Sequence, residues 1–262
     1  MNFDLSGRRA VVTGGCSGIG KTTALRLASA GAAVTAGDYR VSDEARAELE
    51  AAGVVVLTCD VRSEADVERL IGVAAGPDGG LDILVNSAGI VLVRQIPDVT
   101  EAEWDACLDT NLKGAFLASK HAIPRMKIRG GGAIVNIASN AGILPRAHDP
   151  VYSTSKGAVV ALTRSLALSH SPDCIRVNAV CPGPVGDTRI IQADLEASPD
   201  RATLERKIIN ASPLCRALGR MVTTDEIADS VLYLVSDAAI MVTGTSLAID
   251  GGKALGVPPV VE

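Results

Sequence analysis

An α/β fold, a doubly wound parallel sheet of about seven strands with helices on both faces, is what this chain predicts. Three observations carry the prediction. Short β-branched runs alternate with segments of helical period, the pattern of a parallel sheet covered on both sides. A glycine-rich turn separates the first such run from the first helical segment. The residues are 47% apolar but only 2% aromatic, so the core has to be Ala, Val, Leu and Ile, which suits helices packed closely on a sheet.

Taken in order, Arg9 to Thr13 is a buried strand, Gly14-Gly15-Cys16-Ser17-Gly18-Ile19-Gly20 is the turn, and Lys21 to Ala30 is a helix. Glycines in such a turn let the backbone approach a pyrophosphate, and the helix N-terminus favours its charge. The spacing is Gly-x3-Gly-x-Gly rather than the commoner G-x-G-x-x-G, and placement between strand and helix gives it weight. The next strand, Ala33 to Gly37, ends in Asp38. An acid about 20 residues beyond the glycines can accept hydrogen bonds from adenosine ribose hydroxyls, and it repels a 2′-phosphate. NAD is therefore expected over NADP, with Arg40 softening the discrimination.

Residues 42–52 read as an acidic helix, and Val54 to Thr58 as a strand ending at Cys59-Asp60-Val61. Ser63 to Asp66 opens a helix in the manner of a capping box. A strand from Asp82 to Val85 ends at Asn86-Ser87-Ala88-Gly89. Thr100 to Lys127 reads as one long helix capped by Thr100, with Asn111 inside it. Asn is mildly unfavourable mid-helix, so Asn111 invites a role for its amide. Ala133 to Ile137 is a strand that delivers Ser139 at its carboxyl end. Val151 to His170 is a helix lined with small residues and apolar nearly all round. The sheet covers one side of it, so a second subunit is expected on the other.

Ile175 to Val180 is a strand ending at Cys181-Pro182-Gly183-Pro184-Val185. Residues 186–216 read as a mobile, partly helical substrate lid. Thr223 caps a helix that runs to Val235, and Ser246 to Ile249 is the last strand. The tail from Lys253 is loose or docks on a partner. No repeat or linker interrupts residues 1–262, so one domain is expected. Ligands of such sheets sit beyond the carboxyl ends of the strands, so the strand-end motifs point into one crevice.

Charge and composition exclude other classes. Lys and Arg number 25 against 30 Asp and Glu, a net charge of −5 with both signs interspersed, so nucleic acid is not an expected partner. No apolar run reaches the ~18 residues of a membrane span. Met1 to Arg9 lack the apolar core of a signal peptide, so a cytoplasmic location is expected. Cys16, Cys59, Cys107, Cys174, Cys181 and Cys215 form no CxxC pair, and His121, His148 and His170 are dispersed. No metal site is expected.

Tyr152-Ser153-Thr154-Ser155-Lys156 puts a phenol and an ammonium on one face of a helix. By itself the pair reads as solvated residues; the strand-end motifs turn it into a site. Bringing a phenol from its usual pKa to about 7 takes roughly 4 kcal/mol of phenolate stabilisation, which a fixed cation can supply.

Together these residues resemble the classical short-chain dehydrogenase/reductase family over nearly the whole chain. Thr13-Gly14-x3-Gly18-Ile19-Gly20 is similar to its cofactor loop, Asn86-Ser87-Ala88-Gly89 to its Asn-Asn-Ala-Gly motif, and Asn111, Ser139, Tyr152 and Lys156 to its catalytic tetrad. The resemblance implies a Rossmann-like domain that binds NAD through Gly14, Cys16, Ser17, Gly18, Ile19, Gly20, Asp38, Asp60, Val61, Asn86, Ala88, Gly89, Tyr152, Lys156, Pro182, Gly183, Val185 and Thr188. Asp60 and Val61 would flank the adenine, and Pro182 to Val185 the nicotinamide. The family's usual Thr five residues after the motif proline is Asp187 here, with Thr188 one later. A homotetramer built on the long helices is also implied.

The resemblance further implies hydride transfer between nicotinamide and a secondary alcohol or ketone. Tyr152 would be the acid/base, Ser139 the donor to the substrate oxygen, Lys156 the cation, and Asn111 the holder of a relay water. Ser139, Asn140, His148, Tyr152 and Pro184 are the expected substrate contacts, in a mainly apolar pocket closed by the lid. Arg146 and His148, otherwise solvated loop residues, are the groups that could meet an anion. The rival readings are an NADPH-dependent 3-oxoacyl-carrier-protein reductase and a catalytically silent NAD-binding regulator or scaffold. Asp38 opposes the first and the complete tetrad the second.

Overall fold

The computed structural model describes residues 3–144 and 146–256. Strand β1 (Arg9–Thr13) leads into α1 (Gly18–Ser29), β2 (Ala33–Asp38), α2 (Asp43–Ala51), β3 (Val55–Thr58), α3 (Glu64–Ala75) and β4 (Ile83–Asn86). Then come α4 (Glu101–Leu108), α5 (Gly114–Ile128), β5 (Gly132–Ile137), α6 (Pro150–His170) and β6 (Ile175–Pro182). Helices α7 (Arg189–Ala197), α8 (Arg201–Asn210), α9 (Pro213–Leu218) and α10 (Thr224–Val235) precede β7 (Ser246–Ile249).

The seven strands form one sheet in the order β3-β2-β1-β4-β5-β6-β7, and every pairing is parallel. The order reverses between β1 and β4, which opens a crevice at their carboxyl ends. Register aligns the ends there: Thr13 faces both Gly37 and Asn86, and Asn86 faces Asn136.

Side-chain alternation divides the core into two layers. Val12, Ile83, Val85 and Val135 pack with α1 and α10 residues such as Leu27 and Val231. Val11, Leu84 and Ile134 pack on the other face with Leu70, Leu117 and Met126 from α3 and α5. Each fully buried Val, Leu or Ile contributes about 1.5–3 kcal/mol of transfer free energy. The two layers therefore hold the strand ends, and whatever they carry, in fixed register.

Several elements differ from expectation. Helix α1 starts at Gly18, not Lys21, so the last loop glycines belong to its first turn. The expected helix from Thr100 is capped as predicted, by a complete Thr100–Glu103 box, but is not continuous. A π turn at Asp109–Lys113 separates α4 from α5. At Ser63 only half a box forms: Ser63 accepts from the Asp66 amide, while the Asp66 carboxylate turns to the Asp60 amide. Helix α6 buries one face only; Ala161, Arg164 and Leu168 are exposed. Residues 186–216 are partly helical as expected, holding α7, α8 and the start of α9. Lys253–Leu255 makes a 3-10 turn, whereas the rest of the expected tail, from residue 257, and Pro145 lie outside the described residues.

Candidate active site

The turn after β1 is close-packed. Gly14 has φ 64° and Gly18 φ 47°, the left-handed region that favours glycine. A Cβ on Gly14 would sit 2.7 Å from the Ala88 backbone, and one on Gly20 only 2.0 Å from the Gly14 carbonyl. Side chains are thus excluded, and the backbone is open at the N-terminus of α1, where Ser17 makes no side-chain cap. Such a helix start attracts an anion.

Asp38, at the end of β2, accepts from the Cys16 amide at 3.1 Å and the Arg40 amide at 3.2 Å. Its carboxylate is therefore fixed beside the turn, with lone pairs to spare. Across the switch point, Asn86 to Gly89 lie against the same turn: the Ser87 amide donates to the Thr13 carbonyl at 3.1 Å. Asn86 donates to the Asn136 amide oxygen at 2.8 Å, and Asn136 to Thr163 at 2.9 Å, a buried polar chain from β4 through β5 to α6.

Asp60 and Val61 hold other partners. The Asp60 carboxylate is gripped by Arg62 at 2.7–3.1 Å, which keeps it below its usual range. Val61 is buried against the start of α5, where a Cβ on Gly114 would meet it at 2.8 Å.

The π turn positions Asn111. A π turn aims a side chain that regular helix would turn elsewhere. The Asn111 amide bonds both backbone groups of Ile90, at 2.8 and 2.9 Å, and donates to Ser155 Oγ at 2.9 Å. Ser155 donates in turn to the Tyr152 carbonyl at 2.7 Å, so α4–α5 is tied to α6. A Cβ on Gly89 would lie 3.2 Å from Asn111 Oδ1 and 3.3 Å from Lys156 Nζ, which brings all three to one place.

Helix α6 begins on Pro150 and carries Tyr152 and Lys156 in its first turns. Lys156 is 5% exposed and donates to the Ile137 carbonyl at 2.9 Å. Burial holds its ammonium pKa down at about 8. Its Nζ is 5.9 Å from the Tyr152 ring centre. Burial pushes the Tyr152 phenol up, and the hydrogen bond from Ser139 opposes that. The chain's own groups therefore leave the phenol protonated at neutral pH. Ser139 is buried, accepting from the Ala141 amide at 3.1 Å. Asn140 beside it is 2% exposed, and its Nδ2 has no partner.

The segment after β6 completes the crevice. A Cβ on Gly183 would collide with Asp250, so Pro182 and Gly183 lie under the end of β7. Asp187, where the resemblance expects Thr, binds the amide and hydroxyl of Thr224 at the start of α10. Thr188 stands where Gly18 could meet it: its methyl lies 3.7 Å from a Cβ built there, while its hydroxyl donates to Val185. Pro184 is half-buried and His148 is exposed in the loop before α6. Sequence reasoning missed Ser155 and Asn136 at this edge; both are polar residues in apolar-patterned elements, which is the signal that could have found them.

Among the described residues no three His, Cys, Asp or Glu gather as a metal would need, and no helix is long and apolar enough to cross a membrane. Burial pushes Cys16 and Cys181 up to about 11 and Cys59 up to about 12, so these thiols are not thiolates at neutral pH.

A parallel sheet with its switch point at a glycine turn, and with Ser, Tyr, Lys and Asn gathered beyond the next strand ends, defines a nicotinamide-type oxidoreductase fold. The chain belongs to the short-chain dehydrogenase/reductase family. The family model described as enoyl-(acyl carrier protein) reductase matches residues 14–254. The chain is 40% identical to cis-4-hydroxycyclohexanecarboxylate dehydrogenase of Sinomonas cyclohexanicum over 94% of this chain and 96% of that one. It is 34% identical to NAD-dependent glycerol dehydrogenase of Listeria innocua over 96% and 95%. Among solved structures it is similar to a short-chain type dehydrogenase/reductase from Mycobacterium marinum, with TM-score 0.85, 36% identity and coverage of 96% and 97%.

Proposed function

We propose that the protein is an NAD-dependent dehydrogenase of a secondary alcohol, acting reversibly on the ketone. The observation that carries this reading is the convergence of Ser139, Tyr152, Lys156 and Asn111 beside a glycine cradle that admits no Cβ. That cradle, the open start of α1 and the carboxylate of Asp38 fit an adenine dinucleotide that lacks a 2′-phosphate. When bound, the nicotinamide supplies the hydride acceptor or donor.

The chain's residues handle the proton. Tyr152 takes the hydroxyl proton in oxidation and returns it in reduction. Ser139 donates to the substrate oxygen and fixes it against the phenol. Lys156 is still charged at pH 7 with its pKa near 8, and provides the cation that a raised phenol needs. Asn111, held by Ile90 and Ser155, lines the same space and orders a water toward Lys156. The helices of residues 186–216 form the lid, and Pro184 and Asn140 the pocket walls.

The names of the relatives support alcohol chemistry, and the Listeria relative's name supports NAD. A location in the cytoplasm and a homotetramer belong to the same reading. The acyl-carrier-protein reading draws on the description of the matched model, and Asp38 opposes its NADPH.

The test is turnover of NAD and NADP across a panel of secondary alcohols. The expected result is kcat/KM at least about tenfold higher with NAD, and a loss of roughly a thousandfold in Tyr152→Phe with NADH binding kept. Retained turnover in that variant, or a preference for NADP, would sink the reading.

A further inference from the structure

Asp187 ties the segment after β6 to the start of α10. Its carboxylate accepts the Thr224 amide at 2.9 Å and the Thr224 hydroxyl at 2.7 Å. A carboxylate has two oxygens for these two donors, where a threonine hydroxyl has one. The bond also meets one of the free amides that open α10, where negative charge is favoured. Thr224 is itself fixed: it is buried, and the Thr223–Glu226 capping box closes the same turn. Two further links join the same segments. The Gly186 amide donates to the Val222 carbonyl at 2.8 Å, and Val185 forms a parallel bridge with Val222.

The clamp closes a ring of contacts around α1. Arg26, in the last turn of α1, binds Asp225 at 2.6 Å and Asp229 at 3.0 Å, so α10 is tied to the helix that opens on the glycine turn. Thr188 follows Asp187 directly and returns to that turn: its methyl lies 3.7 Å from a Cβ built on Gly18. Its hydroxyl is spent on the Val185 carbonyl at 2.8 Å, so the side chain meets Gly18 as a wall and not as a donor. From the lid side Gln192 donates to the Gly186 carbonyl at 2.6 Å. Beyond that bond lies a cavity of about 220 Å³, lined by Glu205 and Ile209 of α8 on one side and by Gly186, Asp187 and Arg220 on the other. A void leaves its lining without packing partners there, so the hydrogen bonds to α10 set the place of Thr188.

We propose that Asp187 is a positioning residue of the dinucleotide site: clamped on Thr224, it holds Thr188 against the start of α1 and closes the glycine cradle from the side of β6. The assignment rests on the nicotinamide-dinucleotide reading and gives a role to the residue that stands where the resemblance expects threonine. Asp38 bounds the same cradle from β2, on the other side of β1 in the sheet. The clamp therefore acts on the half of the cofactor away from the adenosine ribose. A ligand that carries the adenosine half alone should not feel it.

The test is binding of NADH and of AMP, by titration calorimetry, to wild type, Asp187→Ala, Asp187→Asn, Thr224→Val and the double variant of Asp187→Ala with Thr224→Val. Asp187→Ala should bind NADH about tenfold more weakly, and AMP within about twofold of wild type. Asp187→Asn keeps an acceptor for the Thr224 amide and should recover most of the loss. Thr224→Val removes the hydroxyl alone and should weaken NADH about threefold, and the double variant should bind no more weakly than Asp187→Ala, because the two changes break one contact. Wild-type affinity for NADH in Asp187→Ala, equal losses on NADH and AMP, or losses that multiply in the double variant would overturn the clamp and leave the cofactor reading standing. If Asp187→Ala does not fold, Thr224→Val decides by the same split between NADH and AMP. Binding of NADPH in place of NADH, with the same loss in Asp187→Ala, upholds the clamp and sinks the NAD assignment. No binding of either dinucleotide by wild type overturns both.

Discussion

Lys156 shows what the site costs the fold. Its pKa falls from 10.5 to about 8 because burial disfavours the ammonium. At about 1.4 kcal/mol per pH unit, that fall is on the order of 3 kcal/mol. The sign follows from linkage: between those values the unfolded chain binds the proton and the folded chain does not, so stability rises with pH from about 8 to about 10.5. Below pH 8 the penalty is fully present. Lys156→Met removes the ammonium and forfeits the bond to the Ile137 carbonyl, worth about 1 kcal/mol. We expect Tm at pH 7 to rise by roughly 5 °C while turnover is lost, with the gain fading by about pH 10.5. Calorimetry across that range checks it; a lower Tm at pH 7 would show that the ammonium stabilises the fold. The i, i+4 spacing of Tyr152 and Lys156 was legible because it needs only helical period. The direction of the Tyr152 shift was not, because it depends on burial that only the folded neighbours create.

Glycines separate two roles at the level of elements. A Cβ on Gly20 would be 2.0 Å from the Gly14 carbonyl, so Gly20→Ala must push the turn away from α1. The expected loss is about 3 kcal/mol of stability, together with weakened NADH binding. Gly72, within α3, has open space where a Cβ would go. Gly72→Ala should therefore gain about 1 kcal/mol in urea unfolding, because alanine removes backbone freedom from the unfolded chain. If both variants shift stability alike, the close approach of Gly20 to Gly14 is not what glycine serves there. Strand β7 and the Thr100 and Thr223 caps were readable to the residue, since alternation and capping are local rules. The π turn was not, because residues 109–113 keep helical composition and reveal the extra winding only through what Asn111 bonds.

Across the whole molecule, α5 and α6 leave a groove of about 290 Å³ lined by Phe116, Ile123, Leu162 and Leu166. Phe116 is 49% exposed and Leu168 81%. Apolar surface of this kind on long helices supports the expected tetramer. Light scattering at micromolar concentration should give four times the chain mass, and Phe116→Asp should lower it; a monomeric mass for the unaltered protein rules the assembly out. A parallel sheet covered on both faces was legible from the strand–helix alternation, whereas the strand order β3-β2-β1-β4-β5-β6-β7 was not. The pairing of Arg146 with Asp149 was not, since it depends on the path the loop takes into α6.

The π turn at Asp109–Lys113 also makes chain length part of the inheritance of the site. Substitutions at Thr110 or Leu112 alter one side chain and leave the count intact. Loss of a single codon there would let the backbone settle into ordinary α winding and remove the bulge that aims Asn111. The shorter helix would be more regular, yet Asn111 could no longer reach both Ile90 and Ser155. A descendant with that deletion would keep a plausible fold and lose the tie between α4–α5 and α6. In this stretch the number of residues matters to the tie as much as their identity.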